Sequence, residues 1–130
     1  TGNHDLCLWE AENIEDLPNN IHFLQDIVCE IEGVRFFGLA YNHQESIIPY
    51  GVDVLITHEP PAMILDESNG IHWGNLSLRN KVLEVKPKLH LFGHAHDAYG
   101  TEQQGTTTFS NGAVLNDHYQ LCNAPLLHKV

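Results

Sequence analysis

Val52 to Thr57, β-branched or apolar at every position but Asp53, stops at His58-Glu59-Pro60-Pro61. A strand with one wet face would alternate polar and apolar residues, so the continuous run from Val54 to Thr57 suits a strand buried on both faces. The prolines forbid its continuation and deliver His58 to its C-terminal end. The pattern recurs downstream, where Leu89 to Phe92 runs directly into Gly93-His94-Ala95-His96. Between the two lies a Gly-rich loop through Gly70 and Gly74, then Asn75 as a helix N-cap. Leu78, Val82 and Val85 follow on one face of a helix that Pro87 stops. Strands ending in histidine-bearing loops predict an open α/β sheet, in which ligand sites gather at the strand C-termini.

The flanking segments fit the same reading. Trp9 to Leu17 is a short helical candidate that Pro18 and Asn19-Asn20 terminate. From Ile21 to Ala40 the pattern is a hairpin: Ile27, Cys29 and Ile31 alternate with polar residues, Glu32-Gly33 supplies the turn, and Val34 to Leu39 returns. Thr106 to Ser110 resumes as a strand before Asn111-Gly112 turns the chain. No internal repeat or low-complexity tract interrupts the 130 residues, which are expected to form one domain, residues 1–130.

Six Lys plus Arg against seventeen Asp plus Glu give a formal charge of −11, which excludes nucleic-acid binding through a basic face. No apolar run approaches the roughly 18 residues that span a bilayer. An anionic substrate is still compatible with this charge if cations are held locally, because a metal ion outweighs the averaged field of distant carboxylates. The ten histidines mark where such cations would sit. Cys7, Cys29 and Cys122 lack a Cys-x-x-Cys pair and are expected to be reduced and buried, which favours a cytoplasmic protein. A single disulfide with one thiol left over is the alternative.

Five residues at three loci stand out: Asn3 and His4 in Gly2-Asn3-His4-Asp5, His58 at the strand end, and His94 with His96. Imidazole nitrogens and an amide oxygen suit Mn, Fe or Zn better than Ca. A glycine before the Asn-His and His-x-His loci is expected to let the backbone turn tightly. Singly, these signals have bland readings. A strand-end histidine is more often a hydrogen-bonded structural residue than a ligand, and Gly-Asn-His-Asp is a turn composition. The His-x-His pair is stronger, because residues two apart in an extended segment project to one side.

Together and in this order, the three loci resemble the calcineurin-like metallophosphoesterases, whose second half carries Gly-Asn-His-Asp/Glu, a strand-end His and Gly-His-x-His. Pro87 to His96, Tyr99-Gly100, Thr106 to Phe109 and Asn111 extend the similarity to the metallophosphoesterase-domain-containing (MPPED) branch, over most of Thr1 to Val130. The resemblance implies part of a four-layer α/β/β/α sandwich with mixed sheets. It also implies a phosphodiesterase or phosphomonoesterase acting on a small phosphoester, diesters being the better guess. Asn3, His58 and His94 would ligate one metal and His96 its neighbour, while His4 would sit beside the scissile phosphate and protonate the leaving oxygen. Two divalent ions, manganese, iron or zinc, would bridge the attacking hydroxide and clamp the phosphoryl oxygens. Asp5 is assigned no chemistry.

The sequence departs from the family in lacking an Asp-x-His and a Gly-Asp motif. The expectation is therefore a C-terminal part whose N-terminal strands are missing. Such a chain would bind at most one divalent ion, weakly, and would not turn over phosphoester alone. It would associate with the missing part or with itself through unpaired edges. Glu59, where many relatives have a smaller residue, either narrows the pocket or contacts a ligand from outside. His72 has some claim to line a pocket; His22, His43, His90, His118 and His128 read as ordinary surface or core residues. The competing function is a non-catalytic protein-binding scaffold of the same fold.

Overall fold

The computed structural model describes residues 1–8, 17–18 and 20–130, so the helix expected over Trp9 to Leu17 falls almost wholly outside the described residues. In chain order the elements are β1 (Val28–Ile31), β2 (Val34–Gly38), β3 (Val54–Ile56), β4 (Glu67–Ser68), β5 (Ile71–His72), α1 (Leu76–Val85), β6 (Leu89–Phe92), β7 (Gly100–Gln104) and β8 (Thr107–Asn111). Six strands form one sheet in the order β1-β2-β3-β6-β8-β7, and β4 pairs with β5 apart from it. The four inner strands run parallel, while β1 and β7 close the two edges antiparallel. This is an α/β fold with a mostly parallel central sheet.

Local chemistry accounts for these elements. The β1-β2 turn places Glu32 at φ 50° and Gly33 at φ 81°, the consecutive left-handed pair that matches the twist of a two-residue hairpin. Asn75 caps α1 as expected, its side chain accepting from the Leu78 N–H at 3.0 Å. At the other end Lys86 turns left-handed, donating its N–H to Val82 O at 2.8 Å, and Pro87 prevents another turn. Leu78, Val82 and Val85 are the buried face of the helix and join Phe37, Leu55, Phe92 and Phe109 in the core. Each such side chain, fully buried, contributes roughly 1.5–3 kcal/mol. β3 is inaccessible on both faces at Val54 and Leu55, as its composition requires.

Three expectations need correction or extension. Cys7 and Cys122 are exposed and Cys29 half-buried, so the thiols are not core residues, and none is joined in a disulfide. β7, a polar strand with alternating burial, was not anticipated, because Gly-Thr-Glu-Gln-Gln carries no apolar signal. The presumed Gly-rich loop contains the short β4-β5 hairpin. At the β1 edge, Ile27, Val28 and Ile31 are 52%, 41% and 40% exposed. Among the described residues no helix is long and apolar enough to cross a membrane.

Candidate metal centre

The parallel strands β3, β6 and β8 all end at one edge of the sheet, in register such that Ile56 faces Leu91 and Phe92 faces Asn111. His58 leaves β3 there, and Gly93 to His96 leaves β6 beside it. The Gly2 to Asp5 segment packs onto the same edge as a closed turn, with Gly2 N–H donating to Asp5 Oδ2 at 2.7 Å. Gly2 lies flat against the His58 ring: a Cβ there would stand 2.6 Å from His58 Nδ1. Close approach, rather than turning freedom, is what this glycine provides.

At the second locus the expectation is overturned in a different way. A Cβ on Gly93 would meet nothing within 4 Å; the left-handed residue is His94, at φ 67°. A tight turn in which Ala95 N–H donates to Gly93 O at 2.8 Å follows from that conformation. A non-glycine residue held left-handed is strained, and such strain concentrates where side-chain direction matters.

His58 Nε2 lies 2.7 Å from Asn3 Oδ1 and 3.1 Å from His94 Nδ1. The rings are steered from outside by aromatic edges, Tyr41 against His58 at 5.5 Å and Trp73 against His94 at 5.6 Å between centroids. Burial, then the charge of His94, pushes the His58 pKa down to about 4. Burial likewise lowers that of His94, against the opposing pull of Glu59. Both imidazoles are therefore neutral near pH 7 and carry lone pairs. An amide oxygen and two ring nitrogens that converge with at most one proton on His58 Nε2 to share between them form a donor set a cation would satisfy better than that proton. Among the described residues no three His, Cys, Asp or Glu side chains cluster as a metal site; the convergent set here is two imidazoles and an amide. These residues fit one divalent ion.

His4 and His96 line the same cavity as Asn3, His58 and His94, a space of about 320 Å³ whose other walls include Trp73 and Tyr119. His4 is exposed. His96 donates from Nδ1 to Asn116 O at 3.0 Å, which places a proton on Nδ1 and keeps Nε2 out of that bond. Asp117 Oδ1 stands 3.7 Å from the same Nδ1, and Ser68 Oγ ties Asp117 to Asp97 at 3.1–3.2 Å. A larger neighbouring cavity, about 520 Å³, is lined by acidic side chains and by none of the five predicted residues.

Other histidines and Glu59 resolve as follows. Glu59 turns toward α1, accepting from Asn75 Nδ2 at 3.4 Å, and does not line the donor cavity. His72 lines the neighbouring acidic cavity and pairs with Asp66 at 2.9 Å. His90 is a core residue, 0% exposed. Residues that sequence reasoning missed are Asn116, Ser68 and Asp117 behind His96, and Asn111 behind Ala95. No periodicity or motif spacing flags these; Asn111-Gly112 signalled a turn, and Asn111 Oδ1 does accept the Ala113 N–H at 3.0 Å in an Asx turn.

No protein-family model matches the chain. It is 36% identical over 136 residues to metallophosphoesterase domain-containing protein 1 of Homo sapiens, and equally to that of Mus musculus, each match covering 89% of this chain and 42% of the relative. A UPF0046 protein of Caenorhabditis elegans is 35% identical over 157 residues, covering 97% of this chain and 54% of the relative. The chain thus spans about half the length of these curated relatives or less. One solved crystal structure superposes with a TM-score of 0.55 at 17% identity, over 68% of this chain and 44% of that chain, a likeness of fold.

Proposed function

Because the chain belongs to the metallophosphoesterase-domain-containing family, whose chemistry implies divalent metal ions, we propose that Asn3, His58 and His94 hold one divalent cation and that the whole protein hydrolyses small phosphoesters, either diesters or monoesters. The observation that carries this reading is the approach of Asn3 Oδ1 and His94 Nδ1 to His58 Nε2, at 2.7 and 3.1 Å. Nitrogen and amide-oxygen donors select manganese, iron or zinc among the common divalents. Bound as a pair, such ions lower the pKa of water and neutralise phosphoryl oxygens. His96, held by Asn116, would hold the neighbouring ion of that pair through Nε2. His4, exposed at the cavity, holds the proton that the leaving oxygen takes. Trp73 and Tyr119 wall the cavity and limit water around the phosphate.

This chain carries no Asp-x-His or Gly-Asp motif. We assign it, by itself, at most one weakly bound divalent ion and no turnover. Its sheet then belongs to a four-layer α/β/β/α sandwich, and further polypeptide of the same protein, or a second copy, covers the apolar β1 edge. The free thiols of Cys29 and Cys122 fit a reducing, cytoplasmic setting.

Calorimetric titration of the chain with manganese tests the reading. A single binding event lost in His58→Ala and His94→Ala is expected, with no hydrolysis of a chromogenic phosphodiester. Absence of binding, or two tight sites, would overturn it.

A further inference from the structure

We infer that Asn111 is a positioning residue, which grips the peptide between His94 and His96 and so sets the direction of both imidazoles; this rests on the metal-centre reading above. Asn111 ends β8, is 0% exposed, and spends its whole side chain on backbone groups. Nδ2 donates to Ala95 O at 2.8 Å and to Leu65 O at 3.0 Å, while Oδ1 accepts the Ala113 N–H at 3.0 Å. All three groups that a neutral carboxamide offers are satisfied in a buried site.

What is gripped gives the arrangement its consequence. Ala95 is the residue between the two histidines, and its carbonyl belongs to the peptide that leads into His96. On its other side stands His94, held at φ 67°, a conformation that a residue with a Cβ adopts only under constraint. The segment's own hydrogen bonds at this point are the γ-like turn from Ala95 N–H to Gly93 O at 2.8 Å and the longer bond from Ala98 N–H to Ala95 O at 3.2 Å, so the Asn111 amide is the contact that ties this carbonyl to the sheet. Rotation of that peptide would swing His94 Nδ1 away from His58 Nε2 and His96 away from Asn116. The same amide holds Leu65, itself left-handed at φ 47°. Asn111 is in turn anchored by the sheet, in register with Phe92, the last residue before the Gly93 loop. One side chain therefore ties two strained loops to the rigid end of β8.

Asn111→Ser tests this, since a serine retains an oxygen for the Ala113 N–H and removes both loop donors. Thr107→Val is the matched control: Thr107 is 3% exposed at the other end of β8, with Oγ1 donating to Pro87 O at 2.7 Å. Two readouts apply, amide hydrogen exchange at Ala95 in metal-free protein and titration with cobalt followed by its visible absorption. For Asn111→Ser, exchange at Ala95 is expected to accelerate and cobalt affinity to fall about ten-fold with an altered spectrum, the loss usual when support behind a metal ligand is removed. Thr107→Val should lower the urea midpoint and leave both readouts unchanged. Unaltered exchange in Asn111→Ser, or the same acceleration in Thr107→Val, would overturn the proposal. If the wild-type chain binds no cobalt, the metal reading falls while exchange still decides the role of Asn111. Should Asn111→Ser fail to fold, the unmodified protein remains decisive: scalar couplings from Asn111 Nδ2 across its hydrogen bonds to the Leu65 and Ala95 carbonyl carbons are expected, and their absence refutes the grip.

Discussion

His90→Gln should flatten the acid sensitivity of the fold. His90 lies between Leu55 and Phe109 in the sheet, with the rings of Phe92 and Phe109 at 4.9 and 5.7 Å. Thr57 Oγ1 donates its proton to Glu59 O at 2.7 Å, so it accepts from His90 Nε2–H at 2.9 Å. Nδ1 is then a buried lone pair with no partner. Protonating it would place a charge among aromatic rings, and burial accordingly pushes the pKa from 6.5 down to about 3. Between those values the unfolded chain binds a proton that the native chain does not. Stability is therefore complete above the unfolded pKa and is lost as pH falls toward the folded one, by about 1.4 kcal/mol per pH unit. Over roughly two units below 6.5 the loss is about 2.7 kcal/mol. Glutamine keeps an N–H donor for Thr57 and cannot charge. Urea unfolding followed by circular dichroism at about pH 7, 5.5 and 4.5 should show wild type losing that much more than His90→Gln. His58 and His94, also held down by burial, contribute to both chains and cancel in the difference. Parallel pH profiles would refute the reasoning.

Two further outcomes follow from local geometry. Asn75→Ala removes the cap of α1 together with the Nδ2 contacts to Glu45 and Glu59; a loss of about 1 kcal/mol is expected in thermal unfolding, with the neutral Asn75→Ser recovering the cap, and an unchanged midpoint counts against the capping account. Gly2→Ala drives a methyl to 2.6 Å from His58 Nδ1 and should weaken manganese binding with the far-UV spectrum intact. Gly93→Ala, with nothing within 4 Å of the added carbon, should leave affinity unchanged, and equal effects of the two would contradict the packing argument.

Sequence was informative wherever one force dominated. β3 and β6 were legible because burial on both faces favours apolar residues there, His90 being the exception, and α1 because its cap, buried face and terminating proline agree. β7 was not, since an edge strand with one wet face tolerates Thr, Glu and Gln, and its pairing with β8 is fixed across the tight turn at Gly105, φ 57°. The same division runs through the site. Asn3, His58 and His94 stood out as residue types placed at strand ends or in turns. Glu59 was legible as a charge beside His58, yet its direction is decided by Asn75 and the start of α1. Gly93 looked like the pivot of its loop because glycine is cheap at positive φ, whereas the strain is carried by His94. A left-handed histidine persists only if something outside the loop holds it, and the group we assign to that role, Asn111, bonds the next residue, Ala95, from 16 residues further along the chain. Donor identity is thus written locally, while donor direction is imposed by partners that only the folded sheet brings within reach.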